Sequence, residues 1–239
     1  GDPVQIYWLK IKEIVQETAE IKTFLLEKPQ DFTWDEGAHT HLALPGFNAG
    51  DKPNRSLVRH MSISTVPEEG LIGITTRIRE KCSEYKSILR KLNIGDEVAL
   101  FKTRTKMPLK RIGKKVYLLS SGVGLATFRS IVLNYFNRPD GVPHMHSLNI
   151  ESSKQFLFPD LFQSQPDKYF TAQFVDNRKA YYEEVEKLAQ DTDGLFYIVG
   201  SDHFLTQNIA ALRENGISDD QIMLDKRAEQ REQLLAFSS

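Results

Sequence analysis

The sequence has a single cysteine, Cys82, among 239 residues. One cysteine cannot form an intramolecular disulfide framework, and it cannot supply a zinc or iron-sulfur site whose ligands are all cysteines. If the chain moves electrons, we therefore expect an organic cofactor as its redox centre. Any iron-sulfur centre would lie on another polypeptide.

Long apolar segments and a strong charge of either sign are also missing. No apolar run approaches the roughly 20 residues of a membrane-spanning helix, and residues 1–4 lack the basic and apolar parts of a signal peptide. The net charge is -1. Because binding to nucleic acid or to an anionic membrane usually requires a basic excess, neither partner is expected. These absences predict a cytoplasmic globular protein without a membrane span.

The six histidines include two close pairs, His39 with His41 and His144 with His146. A spacing of two residues can place both imidazoles of a pair on one face of a strand. No cysteine or carboxylate follows at a matching spacing. We therefore interpret all four as strand surface residues and expect no metal site.

The first part of the chain has a β-like pattern, in which short alternating runs are separated by turns. The predicted strands are Val4–Ile11, Ile21–Leu26, His39–Leu44, Leu71–Ile78 and Glu97–Phe101. One brief helix is predicted from Ser83 to Leu92. This pattern favours a small antiparallel barrel, assigned to residues 1–108. The expected linker is the basic stretch Lys102–Arg111.

Residues 109–239 instead alternate between strand and helix patterns. The predicted strands are Lys115–Leu119, Ser147–Ile150, Phe170–Val175 and Leu195–Val199, and the predicted helices cover 125–136, 181–190 and 204–215. This is the pattern of a doubly wound α/β domain with a parallel sheet, which binds ligands at the carboxyl ends of its strands. The charged tail from Asp225 to Glu232 is expected to be helical.

The stretch Arg59–Thr65 has one arginine followed by alternating Ser and Thr residues, which indicates a strand with one polar edge. An arginine on a strand can bind a phosphate through two N–H groups, and Ser62 can hydrogen-bond a ring nitrogen. Further on, the predicted helix carries Lys86 and Ser87 in its first turn, where free N–H groups attract phosphate. Taken singly, these features also fit an ordinary strand and a basic surface helix.

Two glycine turns lie where the parallel sheet is expected to bind ligands. Ser121-Gly122-Val123-Gly124 follows its first predicted strand, and Gly200-Ser201 follows its last. Because glycine has no side chain, a nucleotide can approach the backbone closely at such turns.

In this order the pieces resemble the ferredoxin-NADP reductase superfamily, from about Val4 to Asp225. The family's R-x-Y-S strand, phosphate-binding helix start, G-x-G-x-x-P-F-R-S turn and Cys-Gly turn correspond to Arg59–Ser62, Ser83–Ser87, Gly122–Ser130 and Val199–Gly200. The resemblance implies an N-terminal antiparallel flavin-binding barrel followed by a doubly wound nucleotide-binding domain. It also implies a standalone oxidoreductase in which NADPH or NADH reduces FAD, and FAD passes electrons to a separate acceptor.

The resemblance also implies roles for individual residues. Arg59 would bind the flavin pyrophosphate, Ser62 would lie near ring N5, and Asp225 is a possible carboxylate near the nicotinamide. No side-chain nucleophile is required. The cofactor-binding residues implied in this way are Arg59, His60, Met61, Ser62, Ile74, Thr75, Thr76, Lys86, Ser87, Ser121, Gly122, Val123, Gly124, Ser152, Ser153, Lys154, Gly200 and Ser201.

Ser121 stands where many relatives have glycine, no aromatic residue follows Asp225, and three further residues depart from the family pattern. Met61 replaces the aromatic residue that usually stacks on the flavin, Thr127 replaces the proline of the glycine turn, and Val199 replaces the cysteine near the nicotinamide. These departures motivate an alternative function, a flavin-binding partner subunit or sensor of the same fold with lost or weak NAD(P)H turnover.

The sequence leaves the nucleotide and the electron acceptor open. Glu151 can bind a ribose 2'-hydroxyl, whereas Ser152, Ser153 and Lys154 suit a 2'-phosphate, which gives a slight preference for NADP. FAD is preferred to FMN on family frequency. The acceptor can be a ferredoxin, a flavodoxin, a quinone, a ferric chelate or a partner oxygenase. The basic residues of Lys102–Lys106 could dock an acidic electron carrier or could form a solvated loop.

Overall fold

The computed structural model describes residues 4–163 and 168–238. Residues 1–3, which enter the prediction of localisation, lie outside this range. The chain divides into two compact units, Gly1–Thr105 and Lys106–Ser239. The sequence predicts a boundary after residue 108, whereas the units divide after Thr105.

The first unit is built on a six-stranded antiparallel sheet with the order β4-β3-β6-β1-β2-β5. Its strands are β1 (Tyr7–Gln16), β2 (Ile21–Glu27), β3 (Ala38–Ala43), β4 (Val58–Ser62), β5 (Leu71–Arg77) and β6 (Glu97–Thr105). A helix, α1 (Glu84–Lys91), lies between β5 and β6 in sequence. The arrangement confirms the predicted antiparallel barrel-like sheet.

The two outer strands of this sheet approach each other just beyond β4. Ile63 forms an isolated bridge with Ile74 of β5, and the Ser64 N–H donates to the Gly73 carbonyl at 2.9 Å. Both isoleucines are fully buried in the core of this unit. The sheet is therefore barrel-like but does not close through a continuous ladder.

The second unit contains a five-stranded parallel sheet with the order β11-β10-β7-β8-β9. Its strands are β7 (Val116–Ser121), β8 (Met145–Ile150), β9 (Phe170–Val175), β10 (Leu195–Val199) and β11 (Ile222–Leu224). Its helices are α2 (Leu125–Asn137), α3 (Pro159–Phe162), α4 (Arg178–Leu188), α5 (Asp202–Glu214) and α6 (Ala228–Phe237). The alternating pattern confirms the predicted α/β domain. Because the strands are parallel, their carboxyl ends lie at one edge of the sheet.

Some sequence predictions need correction. The sequence predicts a linker that starts at Lys102, but β6 continues to Thr105. The strand Leu195–Val199 is not the last one, because β11 follows it with three residues, too few for a periodic signal. The helix of the tail begins at Ala228, after Asp225. Among the described residues, no helix is long and apolar enough to cross a membrane.

Candidate functional site

The four residues of the arginine motif lie on β4 and point to two faces of the sheet. Met61 packs against the core of the first unit, and Ile63, two residues on, is part of that core. Side chains alternate along a strand, so Arg59 lies on the same face as Met61 and Ile63. His60 and Ser62 lie on the opposite face. The motif can therefore contact a ligand through the side chains of Arg59 and Met61 together.

The opposite face has a row of aromatic rings across three strands. The ring centroids of His60 and His41 are 4.1 Å apart, and His41 stacks on Phe101 at 5.0 Å. His39 is only 6% exposed, so its interpretation as a strand surface residue is wrong. Within residues 4–163 and 168–238, no group of three His, Cys, Asp or Glu side chains could hold a metal ion.

The first turn of α1 is joined to β5 by Lys86. Ser83 is the N-cap of the helix, and its hydroxyl accepts a hydrogen bond from the Lys86 backbone N–H at 3.2 Å. The Lys86 ammonium donates to the Thr76 hydroxyl and, at 2.8 Å, to the Arg77 carbonyl. Ser87, half-buried in the same turn, donates its N–H to the Ser83 carbonyl. The helix start and the strand are thereby held together.

Positive charge accumulates around this helix start. The Arg59 guanidinium lies 5.0 Å from the centre of the Tyr85 ring, which belongs to the same turn. Burial lowers the pKa of the Lys86 ammonium, and nearby guanidinium groups lower it further. These groups are those of Arg59, Arg79 and Arg77. The Glu20 carboxylate lies 3.8 Å from the guanidinium groups of Arg77 and Arg79. A cluster of cations that repel one another at a helix start suits a polyanion such as a pyrophosphate.

The side chains of β5 take part mainly in internal packing. Ile74 is fully buried in the core. On the other face, the Thr75 hydroxyl contacts the Thr23 hydroxyl at 2.7 Å and donates to the Ser64 hydroxyl at 2.9 Å. Thr23 in turn donates to the Glu17 carboxylate at 2.7 Å. The sequence does not reveal this chain of hydroxyls, because its members come from separate strands. For Thr75, the groups left for a ligand are those of the backbone.

The first glycine turn lies at the end of β7, at the carboxyl edge of the parallel sheet. Gly122 has a φ of 54°, in the left-handed region that favours glycine. Gly124 faces the neighbouring strand, since a Cβ atom there would lie 2.9 Å from the Val199 carbonyl oxygen. Ser121 and Val123 are partly exposed. Gly124 therefore allows the helix and β10 to pack closely, and the left-handed Gly122 shapes the turn.

A buried asparagine that the sequence analysis did not single out holds this turn. Asn149, 1% exposed, lies on β8 and donates its amide N–H groups to the Ser120 hydroxyl at 2.9 Å and to the Gly122 carbonyl at 3.2 Å. Residue type alone does not identify it, because β8 also contains the polar residues His146 and Ser147.

At the second glycine turn the space beside the glycine is filled by the chain itself. A Cβ atom on Gly200 would lie 2.5 Å from the Phe204 ring. Phe204 belongs to the first turn of α5, where Ser201 is the N-cap and its hydroxyl accepts from the Phe204 N–H at 3.2 Å. The ring also packs 5.3 Å from that of Tyr181. The small size of Gly200 is thus required for packing on this side.

Asp225 lies at the same edge, directly after β11. Burial raises the pKa of its carboxyl group, while Lys106 and Lys226 act in the opposite direction. Its Oδ1 atom is buried and has no hydrogen-bond partner among the described residues. Lys226 also lies 3.8 Å from the Asp202 carboxylate. Asp225 is therefore a buried acceptor that a ligand donor could satisfy.

The end of β8 contains charges of both signs. Glu151, 7% exposed, accepts a hydrogen bond from the Ser153 N–H at 3.1 Å. Lys154 has a φ of 63°, and its ammonium lies 3.6 Å from the Asp176 carboxylate. Ser152 is exposed. The buried carboxylate stabilises the turn, and the exposed lysine is paired with another acid.

Three solved structures each match more than nine-tenths of the chain. The ferredoxin NADP+ reductase of Neisseria gonorrhoeae, with bound FAD and NADP, matches 92% of this chain and 97% of its own, at 16% identity and a TM-score of 0.78. A mutant ferredoxin-NADP+ reductase of Plasmodium falciparum, with 2'P-AMP, matches 92% and 95%, at 14% identity and 0.74. The CS-b5R domains of human Ncb5or, in the NAD+ form, match 94% and 70%, at 14% identity and 0.76.

The chain has the ferredoxin-NADP reductase fold. No family model matches its sequence, and no curated protein matches it either. The fold is therefore shared with solved reductases at only 14–16% sequence identity.

Within the ferredoxin-NADP reductase fold, the three residues that depart from the family pattern have defined surroundings. Met61 is partly buried against the barrel core. Thr127 is 3% exposed inside the first turn of α2. Val199 ends β10, and its backbone oxygen faces Gly124. Two of these residues thus contribute to packing around the glycine turn of the second unit.

Proposed function

We propose that the chain is an FAD-dependent NAD(P)H oxidoreductase. The observation that carries the proposal is the group of cations around the start of α1, beside β4, in a chain with the ferredoxin-NADP reductase fold. Bound FAD would supply the redox chemistry, accepting a hydride at N5 from a reduced nicotinamide and releasing electrons singly. The residues of the chain would bind and orient the two cofactors.

In the first unit, the flavin pyrophosphate would lie against Arg59 and the helix start with Lys86 and Ser87. Arg59 is placed for this role because its guanidinium lies over Tyr85, in the first turn of that helix. Met61, on the same face as Arg59, would lie against the flavin ring through its thioether. Ser62, whose side chain lies on the opposite face of β4, would come near N5 through its backbone. The remaining flavin contacts of the first unit would involve His60, Ile74, Thr75 and Thr76.

In the second unit, the nicotinamide nucleotide would bind at the carboxyl edge of the parallel sheet. Its phosphates would lie at Ser121–Gly124, with Gly200 and Ser201 at the neighbouring strand end. Ser152, Ser153 and Lys154 would meet the adenosine ribose. By residue type Lys154 suits NADPH and Glu151 suits NADH. In the structure Lys154 is paired with Asp176 and Glu151 accepts from Ser153, so both donors belong in the test. The Asp225 carboxyl group would accept a hydrogen bond near the nicotinamide.

The absorption spectrum tests this proposal. Protein supplied with FAD and then separated from unbound FAD should stay yellow. Its flavin bands should bleach anaerobically when NADPH or NADH is added. Arg59→Gln should weaken FAD binding about tenfold or more, because a charge-assisted contact to phosphate is lost. The exposed Arg55, just before β4, offers a matched control as Arg55→Gln. A colourless protein that cannot be reconstituted with FAD would refute the proposal.

A second candidate function is a flavin-binding partner subunit or sensor without nicotinamide turnover. It is favoured by the Phe204 ring, which occupies the space beside Gly200. In that case the bound flavin would stay oxidised with both nicotinamides and yet be reduced by dithionite. Rapid bleaching by either nicotinamide would exclude it.

The electron acceptor and the cytoplasmic location stay predictions. The acceptor would be a separate protein or a small molecule.

A further inference from the structure

The Gly122 carbonyl is held by two donors that approach it from inside the second unit. One is the Leu125 backbone N–H, at the start of α2. The other is the side-chain amide of Asn149, at 3.2 Å. The same amide is anchored by the Ser120 hydroxyl at 2.9 Å, and both Ser120 and Asn149 are almost fully buried. The direction of this carbonyl is therefore fixed by β7, β8 and α2 together.

The direction of the carbonyl also determines where the next backbone N–H points. Gly122 C=O and Val123 N–H belong to one peptide unit, which is planar and trans, so the two groups point in opposite directions. The carbonyl points inward to Leu125 and Asn149. The Val123 N–H must then point outward, at the carboxyl edge of the sheet, where Val123 is partly exposed.

We propose that Asn149 is a positioning residue that presents the Val123 N–H to a phosphate oxygen of the nicotinamide nucleotide. The inference rests on the proposed function and adds the group that sets the geometry of its glycine turn. Gly122, in the left-handed region, can reach more than one peptide orientation. The Asn149 amide selects one of them before the nucleotide arrives, which lowers the cost of ordering the turn on binding.

The side-chain chemistry at position 149 is specific for this task. The amide group supplies two N–H donors, and the Ser120 hydroxyl and the Gly122 carbonyl are both acceptors in this arrangement. Alanine at this position would leave Gly122 with the Leu125 donor alone. The peptide could then rotate, and the Val123 N–H would no longer be fixed.

The test compares nucleotide binding in the full-length wild-type protein and in Asn149→Ala. Calorimetric titration with NADP+ and, separately, with NAD+ should show that Asn149→Ala weakens the preferred nucleotide about tenfold. KM for the reduced form should rise similarly while kcat changes less than about twofold, because binding is lost equally in ground and transition states. The flavin spectrum should stay unchanged.

The matched control is Tyr135→Phe. It removes a buried hydrogen bond of the same unit, from the Tyr135 hydroxyl to the Val142 carbonyl at 3.0 Å, near the far end of α2. Its nucleotide affinity should equal that of the wild type. Equal weakening in Asn149→Ala and Tyr135→Phe would indicate a general loss of stability and would overturn the positioning role.

A measurement on the wild type tests the contact between the Val123 N–H and the nucleotide even if Asn149→Ala does not fold. In amide NMR spectra, the Val123 N–H resonance should move strongly downfield when the preferred nucleotide binds. If wild-type protein binds neither NADP+ nor NAD+, the nucleotide half of the proposed function fails. If it binds one of them without a shift of Val123, or if Asn149→Ala binds it with unchanged affinity, the present inference alone fails.

Discussion

Phe204 leaves no room for a side chain at position 200. A Cβ atom there would lie 2.5 Å from the ring, which is itself packed against Tyr181. We therefore expect Gly200→Ala to lower the free energy of unfolding by about 1–3 kcal/mol, since helix α5 must shift to relieve the overlap. Denaturant titration measures the change. Gly50→Ala, where the nearest atom is 3.9 Å away, is the control and should be close to neutral. Equal stability of the two variants would contradict the prediction.

Asp225 should make stability depend on pH with a defined sign. Its folded-state pKa lies above the ordinary value of 3.8, because burial disfavours the charged carboxylate. The contribution of this group to stability is thus complete below pH 3.8 and is lost as the pH rises through the folded-state pKa. Asp225→Asn cannot ionise. Its Tm should exceed that of the wild type increasingly as the pH rises from about 4 to 7.

Thermal melts at several pH values measure this difference. The control is Asp220→Asn, which makes the same substitution at an exposed site of the same unit and is melted over the same pH range. A Tm difference for Asp225→Asn that shrinks with rising pH would refute the raised folded-state pKa of Asp225.

At the level of secondary-structure elements, β5 has two separate tasks. Its hydroxyl groups connect it to neighbouring segments, through Thr75 to β2 and through Thr76 to α1. Its backbone is the part available to a ligand beside Thr75. Cofactor binding and strand stability should therefore respond differently to a substitution there.

Thr75→Val keeps the shape of the side chain and removes the hydroxyl. The buried hydroxyls of Thr23 and Ser64 would each lose a partner, so we expect the free energy of unfolding to fall by about 1–3 kcal/mol. FAD affinity, measured by fluorescence titration, should change less than about threefold, because the proposed flavin contact at this position is made by the backbone. A tenfold loss of FAD affinity with unchanged stability would show direct contact of the hydroxyl with the flavin.

At the level of the whole molecule, the small net charge hides local basic groups at the end of the first unit. Lys102 and Arg104 are exposed on β6. Lys106 is different, because it is partly buried and lies in the field of Asp225. Of the three basic residues that the sequence suggests for docking an acidic carrier, we therefore retain the first two.

Reversing both charges, as Lys102→Glu with Arg104→Glu, should slow electron transfer to an acidic carrier protein about tenfold at low salt, and the effect should shrink as salt is added. Reduction of a neutral quinone should be unaffected. The double variant Lys10→Glu with Lys12→Glu, on the exposed part of β1, has the same net charge and serves as control. Equal slowing in both double variants would reject a specific docking surface.

Much of the architecture could be predicted because it depends on local patterns. The alternation in Ile21–Glu27 and Leu71–Arg77 and the strand-turn-helix order around Val116–Asn137 follow directly from residue types. Elements with weak local signals were missed or misplaced. The three residues of β11 show no period, and the basic end of β6 resembles a linker in composition although it pairs with β3.

The candidate site shows the same division. The positions of Arg59, Ser83 and Gly122 in strand, cap and turn follow from residue types and spacing. The contacts that surround these residues do not follow from residue types or spacing. Neither the Phe204 ring beside Gly200 nor the hydroxyls that meet Thr75 can be read from neighbouring residues, because each contact joins segments that are distant in sequence.

The sequence by itself determined the fold class of each unit, the order of the motifs and the exclusion of a cysteine-ligated metal centre. These properties depend on composition and periodicity. Only the tertiary structure decided which faces those motifs present. It placed Arg59 and Met61 on one side of β4, brought cations from β4, β5 and the start of α1 together, and put the Asn149 amide on the Gly122 carbonyl. The physical reason is that burial and hydrogen-bond partners depend on strand register and packing, which bring distant residues together.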